Sequence, residues 1–387
     1  MTCRLTRRGA LAAGLSAAFL SSRGFAAAPD RKLIVVIARG AMDGLTLAPP
    51  IGDPAYPALR GEIAIPAEAT LRLDADFGLH PKLQGLHTLV QAGQARIAPA
   101  VALPERLRSH FEAQDLLENG GPRLFASTTG WLNRALSSGS PRVKALAVGA
   151  QTPLILRGPV QAQSWSPGLG LPDSADRLVS ALQDLYAGDP LLAPAFASGL
   201  QTEAMAESFG DGPAGRPRDP AAFARTTARF LAEPTGPQVA VLSLDGFDTH
   251  ARQGGVEGQL AQRLQALDAV IMGLRDGLGV HWKETALVVV TEFGRTARVN
   301  GTGGTDHGTA SALILAGGAL KPGGLVGDWP GLSGARLFEG RDLAPTLDVR
   351  SIFKGLLVDH LGLDRQAVET AVFPDSVAAP ALRGLVA

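Results

Sequence analysis

Sulfur is nearly missing from this chain. Its one cysteine, Cys3, falls in an N-terminal segment that reads as a removable signal. The rest therefore has no disulfide and no thiolate ligand, and any metal site must be assembled from His, Asp, Glu, hydroxyl groups and water. Aromatic residues make up only 5%, which argues against a stacking platform for single-stranded nucleic acid or a long sugar-binding groove. A surplus of either charge is also missing: 36 basic residues face 36 acidic ones, so nucleic acid is not an expected partner. No run after the N-terminal segment approaches the roughly 20 apolar residues that span a bilayer, so no permanent membrane anchor is expected.

Residues 1–28 have three parts of a secretory signal. Arg4, Arg7 and Arg8 form a basic start, Ala10 to Leu20 is apolar, and Ala26-Ala27-Ala28 offers small residues to a peptidase. Thr6-Arg7-Arg8-Gly9-Ala10-Leu11 matches the twin-arginine pattern with Ala10 in place of the usual Phe. An ordinary Sec signal with an incidental arginine pair is the alternative. Cleavage after Ala26 is favoured over Ala28, where Pro29 would follow the cut. The expected location is the periplasm or the medium, reached through the twin-arginine translocase. That route carries folded proteins, often already loaded with an ion.

Residues 29–387 are read as one domain. Short apolar runs rich in β-branched residues at 32–38, 95–101, 143–148, 239–244, 286–291 and 312–315 predict strands buried on both faces. Helical periodicity covers 81–92, 109–119, 129–137, 174–186, 221–231, 259–278 and 348–361. This alternation predicts an α/β sheet covered on both sides. Phe209 to Asp219 is the best linker, with strands on either side expected to join one sheet.

Chemistry-bearing residues gather where ligands bind such sheets, beyond the strand ends. The strand ends run into Arg39 to Gly44, Asp245 to His250 and Glu292 to Thr296, and Thr305-Asp306-His307-Gly308 precedes the run at 312. Carboxylates and imidazoles crowded there need a cation or hydrogen bonds to hold them. Asp43, Asp248, His250, Glu292, Asp306 and His307 are therefore candidate ligands for one or two divalent ions, Zn²⁺ or Mn²⁺ before Mg²⁺ or Ca²⁺. The structural alternative has Asp43 and Asp248 as caps and Glu292 paired with Arg295. Ser109 and Glu112 have capping-box spacing, yet the Ser109 hydroxyl at a helix start is also a candidate nucleophile. His110 could orient that serine, bind metal or pack. His80, His87, His281 and His360 lack a strand-end setting and are read as structural.

Together RGAMDGL (39–45), RSHFEAQDLLENG (108–120), TGWLNRAL (129–136), GFDTH (246–250), TEFGRT (291–296) and GTDHG (304–308) resemble the DUF1501 family. Its members commonly carry twin-arginine signals and belong to the alkaline-phosphatase-like superfamily. The resemblance implies a three-layer sandwich with a mostly parallel central sheet. It also implies metal ligands at Asp43, Asp248, His250 and His307, a nucleophile at Ser109, and Glu292-Phe293 where the superfamily has Asp-His. Phe293 cannot bind a metal, so one position loses a ligand; Arg295, with Arg39, could clamp an anionic group instead. The implied activity is hydrolysis of a phosphate or sulfate ester, on a small anionic substrate or a sulfated or phosphorylated glycan. The alternatives are a non-catalytic metal- or glycan-binding envelope protein that keeps the fold, and a transferase or mutase.

Overall fold

The computed structural model describes residues 31–139, 143–149, 151–166, 176–209 and 219–387. The signal segment and most of the linker at 209–219 lie outside the described residues. Among the described residues the main sheet has eight strands: β1 (Lys32–Ala38), β4 (Ala95–Ala102), β5 (Ala145–Val148), β6 (Gln163–Trp165), β7 (Val239–Leu244), β8 (Thr285–Val290), β9 (Ser311–Ala316) and β10 (Leu347–Asp348). β2 (Leu71–Arg72) and β3 (Gly78–Leu79) form a separate hairpin. The spatial order is β10-β4-β9-β8-β1-β7-β5-β6.

β1 lies at the centre, and every one of its residues is buried. Its alternate side chains feed two different cores. Leu33, Val35 and Ile37 face a layer that includes helices His110–Asn119, Trp131–Ser138 and Val349–Gly355. Ile34, Val36 and Ala38 face the layer of Gln84–Gln91, Pro220–Ala232 and Gln259–Leu278. The result is the expected three-layer α/β sandwich, and it explains why the strands read as unbroken apolar runs rather than alternating ones.

The register puts the functional loops at one edge. Ala38 is level with Leu244 of β7, and Ile37 with Val290 of β8. The loops after β1, β7 and β8 thus leave the sheet side by side. β9 alone runs against its neighbours, so the loop that precedes it, carrying His307, emerges at the same edge as the loops that follow the others.

Most predicted elements occur within a few residues of their expected bounds. The run at 348–361 divides into Val349–Gly355 and a π-helical turn, Leu356–His360. β6 and β10 are too short to leave a periodic signal. The helix Leu192–Ser208 was not expected, because small and apolar residues are spread around all its faces.

Asp43 is the first correction. It is not a metal ligand but the N-cap of a one-turn helix, Gly44–Leu47, and it is 1% exposed. Its Oδ1 accepts from the Leu45 amide (3.1 Å), while Oδ2 accepts from Thr46 Oγ1 (2.9 Å), Gln253 Nε2 (2.7 Å) and Arg60. Burial alone would push this carboxyl up; the Arg60 guanidinium and these hydrogen bonds outweigh it and hold it below the usual range. Gly44 is required because a Cβ there would lie 2.2 Å from the Ala312 backbone nitrogen. Replacing Arg60 with Met would leave Asp43 buried and unpaired, with an expected loss of about 3–5 kcal/mol in urea unfolding.

His360 supplies a pH dependence remote from the strand-end loops. It is buried with Nε2 donating to the Lys32 carbonyl (2.9 Å). Burial first, with nearby Arg31, lowers its pKa from the ordinary 6.5 to about 4. The folded chain therefore resists a proton that the unfolded chain accepts below 6.5. The stabilisation is complete above that pH and is lost as pH falls toward about 4. Over that window the wild type should lose about 3 kcal/mol more stability than His360→Gln in matched urea titrations.

Candidate metal centre

Arg295 organises the loops at the sheet edge. Its side chain is fully buried, with Nε donating to the Ala41 carbonyl (2.9 Å) and Nη1 to that of Thr305 (3.1 Å). Nη2 donates to the Gly40 and Phe247 carbonyls (3.2 Å each) and to Asp248. One guanidinium thus joins three of the four expected strand-end segments to its own. This corrects its expected role as a substrate clamp or catalytic group, because its donors are turned into the protein. Arg39 is likewise committed, to Ser243 Oγ (3.1 Å), Gln114 Oε1 (2.8 Å) and Glu118 Oε1 (2.7 Å), and is not free to hold a reacting anion.

Above Arg295, three imidazoles meet. His307 Nε2 lies 2.9 Å from His250 Nε2 and 3.1 Å from His110 Nε2. Asp248 completes the group: Oδ1 is 3.0 Å from His250 Nε2 and 3.4 Å from His307 Nε2, and Oδ2 is 3.4 Å from His110 Nε2. The ligand atoms of His110, Asp248 and His307 all fall within 4.8 Å of one another, with His250 reaching the group from the His307 side.

The other ring nitrogens decide what these contacts mean. His110 Nδ1 donates to Glu292 Oε1 (2.8 Å) and His307 Nδ1 to the Arg108 carbonyl (2.8 Å). His250 Nδ1 faces Asp306 Oδ1 at 3.5 Å. An imidazole that donates through Nδ1 presents a lone pair at Nε2 when neutral. Lone pairs of this kind, turned toward each other at about 3 Å, need a cation or proton between them. Outward-facing acceptors on the far nitrogens are the usual supports of metal-bound histidines. The spacings are also near the ~3.3 Å that separates ligands in a tetrahedral Zn²⁺ site. The residues present fit one divalent ion held by His110, His307 and Asp248, with His250 beside His307 and Asp248.

Glu292 is the next correction: its carboxylate is turned to protein donors, His110 among them, rather than left open to an ion. It is wholly buried, and Oε1 accepts from His110, from the Gly40 amide (2.9 Å) and from Gln114 Nε2 (3.2 Å), while Oε2 accepts from Thr291 Oγ1 (3.0 Å). Gly40 makes this approach at φ 110, and a Cβ on it would lie 2.6 Å from the Asp248 amide nitrogen. Asp306 stays at the rim, accepting from Asn300 Nδ2 (3.1 Å) behind His250. With Asp43 and Glu292 both saturated, the described residues supply ligands for one ion. Phe293 forms a wall beside the imidazoles, its ring 4.9 Å from that of His110 and 5.0 Å from that of His307.

Electrostatics follow the contacts. The hydrogen bond donated to Glu292, against the cost of burial, raises the His110 pKa. Burial lowers that of His307, with His110 and Arg295 adding to the effect. Burial would raise the Asp248 carboxyl, but Arg295 holds it below the usual range.

Ser109 is the N-cap of His110–Asn119, but its side chain makes no capping bond, so the expected capping box does not form. It sits between Arg108, whose carbonyl meets His307, and His110. Its hydroxyl has no protein partner among the described residues.

The family model described as "Protein of unknown function (DUF1501)" matches residues 85–372. The chain belongs to the DUF1501 family. No curated protein sequence matches it. Solved structures similar to this DUF1501 chain include Ps i-CgsB in complex with a neocarrahexaose, at 9% identity and TM-score 0.43, covering 91% of this chain and 77% of that one. Another is the phosphonate monoester hydrolase of Agrobacterium radiobacter, at 13% and 0.39, covering 86% and 74%. A third is a protein in the alkaline phosphatase superfamily from Vibrio parahaemolyticus, at 11% and 0.35, covering 77% and 62%. Such distant likenesses say nothing of the chemistry at this DUF1501 site.

Sequence reasoning placed Asp248, His250 and His307 together and left His110 among three roles. It missed Gln114 and the Arg108 carbonyl. Removing the carboxylate in Glu292→Gln should lower the His110 pKa in an NMR titration of metal-free protein. An unchanged value would mean that the pair does not form.

Proposed function

We propose that this DUF1501 protein is a metal-dependent hydrolase of phosphate or sulfate esters, exported by the twin-arginine route to the periplasm or beyond. The observation that carries the reading is the convergence of three Nε2 atoms on Asp248, with the outer nitrogens of His110 and His307 already bonded. The location rests on the residue 1–28 pattern; separately, no helix among the described residues is long and apolar enough to cross a membrane.

His110, His307 and Asp248 would hold the ion, with His250 beside His307 to join them. A bound Zn²⁺ or Mn²⁺ supplies Lewis acidity toward an ester oxygen. Because Arg39 and Arg295 are spent on protein acceptors, few fixed cations remain to meet an anionic ester, which makes the ion the main counter-charge. Ser109 has a free hydroxyl at the start of a ten-residue helix, where unpaired amides and the helix dipole favour an oxyanion. Its Oγ would take the phosphoryl or sulfuryl group, with the serine proton passing to the departing alcohol, and water would then release the group. Glu292 and the Arg108 carbonyl keep two imidazoles in one tautomer and orientation throughout.

A second reading, a non-catalytic binding protein that keeps the fold, is favoured by Phe293 standing in a ligand position. The two separate in one set of measurements on purified protein. The catalytic reading expects one equivalent of Zn²⁺ or Mn²⁺ per chain and metal-stimulated turnover of aryl phosphates or aryl sulfates. His307→Ala should lose the ion, and Glu292→Gln should bind it about 10–100-fold more weakly. Ser109→Ala should keep it while turnover falls by more than about 10²-fold. Metal bound normally with neither ester cleaved would leave the binding reading.

A further inference from the structure

The helix His110–Asn119 serves two sites. His110 joins the metal cluster, while Phe111, Gln114, Asp115 and Glu118 line a separate cleft of about 500 Å³ beyond the ends of β1, β5 and β7. That volume falls in the range of about 300–1,000 Å³ typical of small-molecule pockets. The sites share a wall. Gln114 accepts from Arg39 through its carbonyl (2.8 Å) and donates from its amide to Glu292 (3.2 Å), the carboxylate that fixes His110.

One exposed ring lines the cleft and another belongs to a residue bonded to its wall, in a chain with few aromatics. Phe111 follows His110 directly and is 89% exposed; Phe125 is 74% exposed. Phe125 is held there at φ 51, a conformation costly for a bulky residue, while its amide donates to Asp115 Oδ2 (2.8 Å). Folding alone gives no reason to present either ring to water.

The lining also narrows the ligand. Asp115, Glu118 and Asp245 outnumber Arg39 and Arg157, which disfavours an anion. Amides, hydroxyls and charges of both signs disfavour an apolar guest. A ring with hydroxyls on its edge and C–H groups on its faces matches both features, because its hydroxyls can donate to the Asp245 carboxylate and accept from the Arg157 guanidinium or the Gln151 amide, which also line the cleft. An exposed Phe face suits the C–H side.

We propose that this cleft binds a neutral sugar residue stacked on Phe111, making the alcohol portion of the ester a glycan. The catalytic half of that statement rests on the hydrolase reading; the binding half does not. The scarcity of aromatics still weighs against a long groove, and one ring is enough for a single subsite.

The test uses saturation-transfer NMR on the full protein after chelation of metal, with methyl glycosides of glucose, galactose and N-acetylglucosamine as probes. At least one should show transfer to its ring protons with millimolar affinity, unchanged in metal-loaded protein. Phe111→Ala, a change at an exposed side chain, should weaken it about fivefold or more, and Phe125→Ala should weaken it less. No transfer from any glycoside, or transfer indifferent to Phe111→Ala, overturns the proposal. So does binding of choline in their place, which would mark a cation site. Sugar binding in a protein that never takes metal would sink the hydrolase reading and leave the subsite standing.

Discussion

Everything at the sheet edge depends on where one guanidinium sends its hydrogen bonds. Arg295 reaches four backbone carbonyls, on Gly40, Ala41, Phe247 and Thr305, and the Asp248 carboxylate. These belong to loops far apart in sequence, none with regular structure to fix it. An enclosed cation without acceptors would be prohibitively costly, so the loops must close on it together. In doing so they set the carboxylate of Asp248, which meets the Nε2 atoms of all three imidazoles. The positive charge that a sequence reader assigns to the substrate is consumed in building the platform.

A second buried pair, Arg60 with Asp43, works beneath the first. Gln253 bonds Asp43 through its amide, and its carbonyl oxygen accepts from Thr249 Oγ1 (2.8 Å) and Thr305 Oγ1 (2.7 Å), the neighbours of His250 and Asp306. The β1 loop is thereby tied to the two loops that deliver His250 and His307. Asp43 thus matters to the site without touching it.

Much of this was legible beforehand, and the reasons for the rest are specific. Apolar runs reveal buried strands because a sheet covered on both faces tolerates little else, so β1, β7 and β8 and the loops after them could be located. Which polar residues point outward could not. Asp43, Glu292 and Arg295 sit in loops beside the strand ends and look like site residues, yet each is turned inward by partners distant in sequence: Gln253, His110 and Ala41. His110 was ambiguous for the opposite reason. It opens a helix that follows β4, separated from β7 by three strands of the sheet, and only the antiparallel course of β9 brings His307 to meet it. The capping box failed because spacing permits that bond without requiring it; the Ser109 hydroxyl is simply left free.

That reversed strand has a consequence for the life history of the molecule. His110, Asp248 and His307 come from three remote stretches, and the last is delivered by a strand that pairs antiparallel to two others, one of them β4 from early in the chain. No fragment released early from the ribosome contains the cluster, and an extended chain offers only scattered imidazoles. Capture of an ion by such a cluster would therefore follow closure of the sheet instead of guiding it. A chain transported already folded would carry the ion chosen where it folded, not where it works, so its occupancy would record the metal supply of the compartment it left.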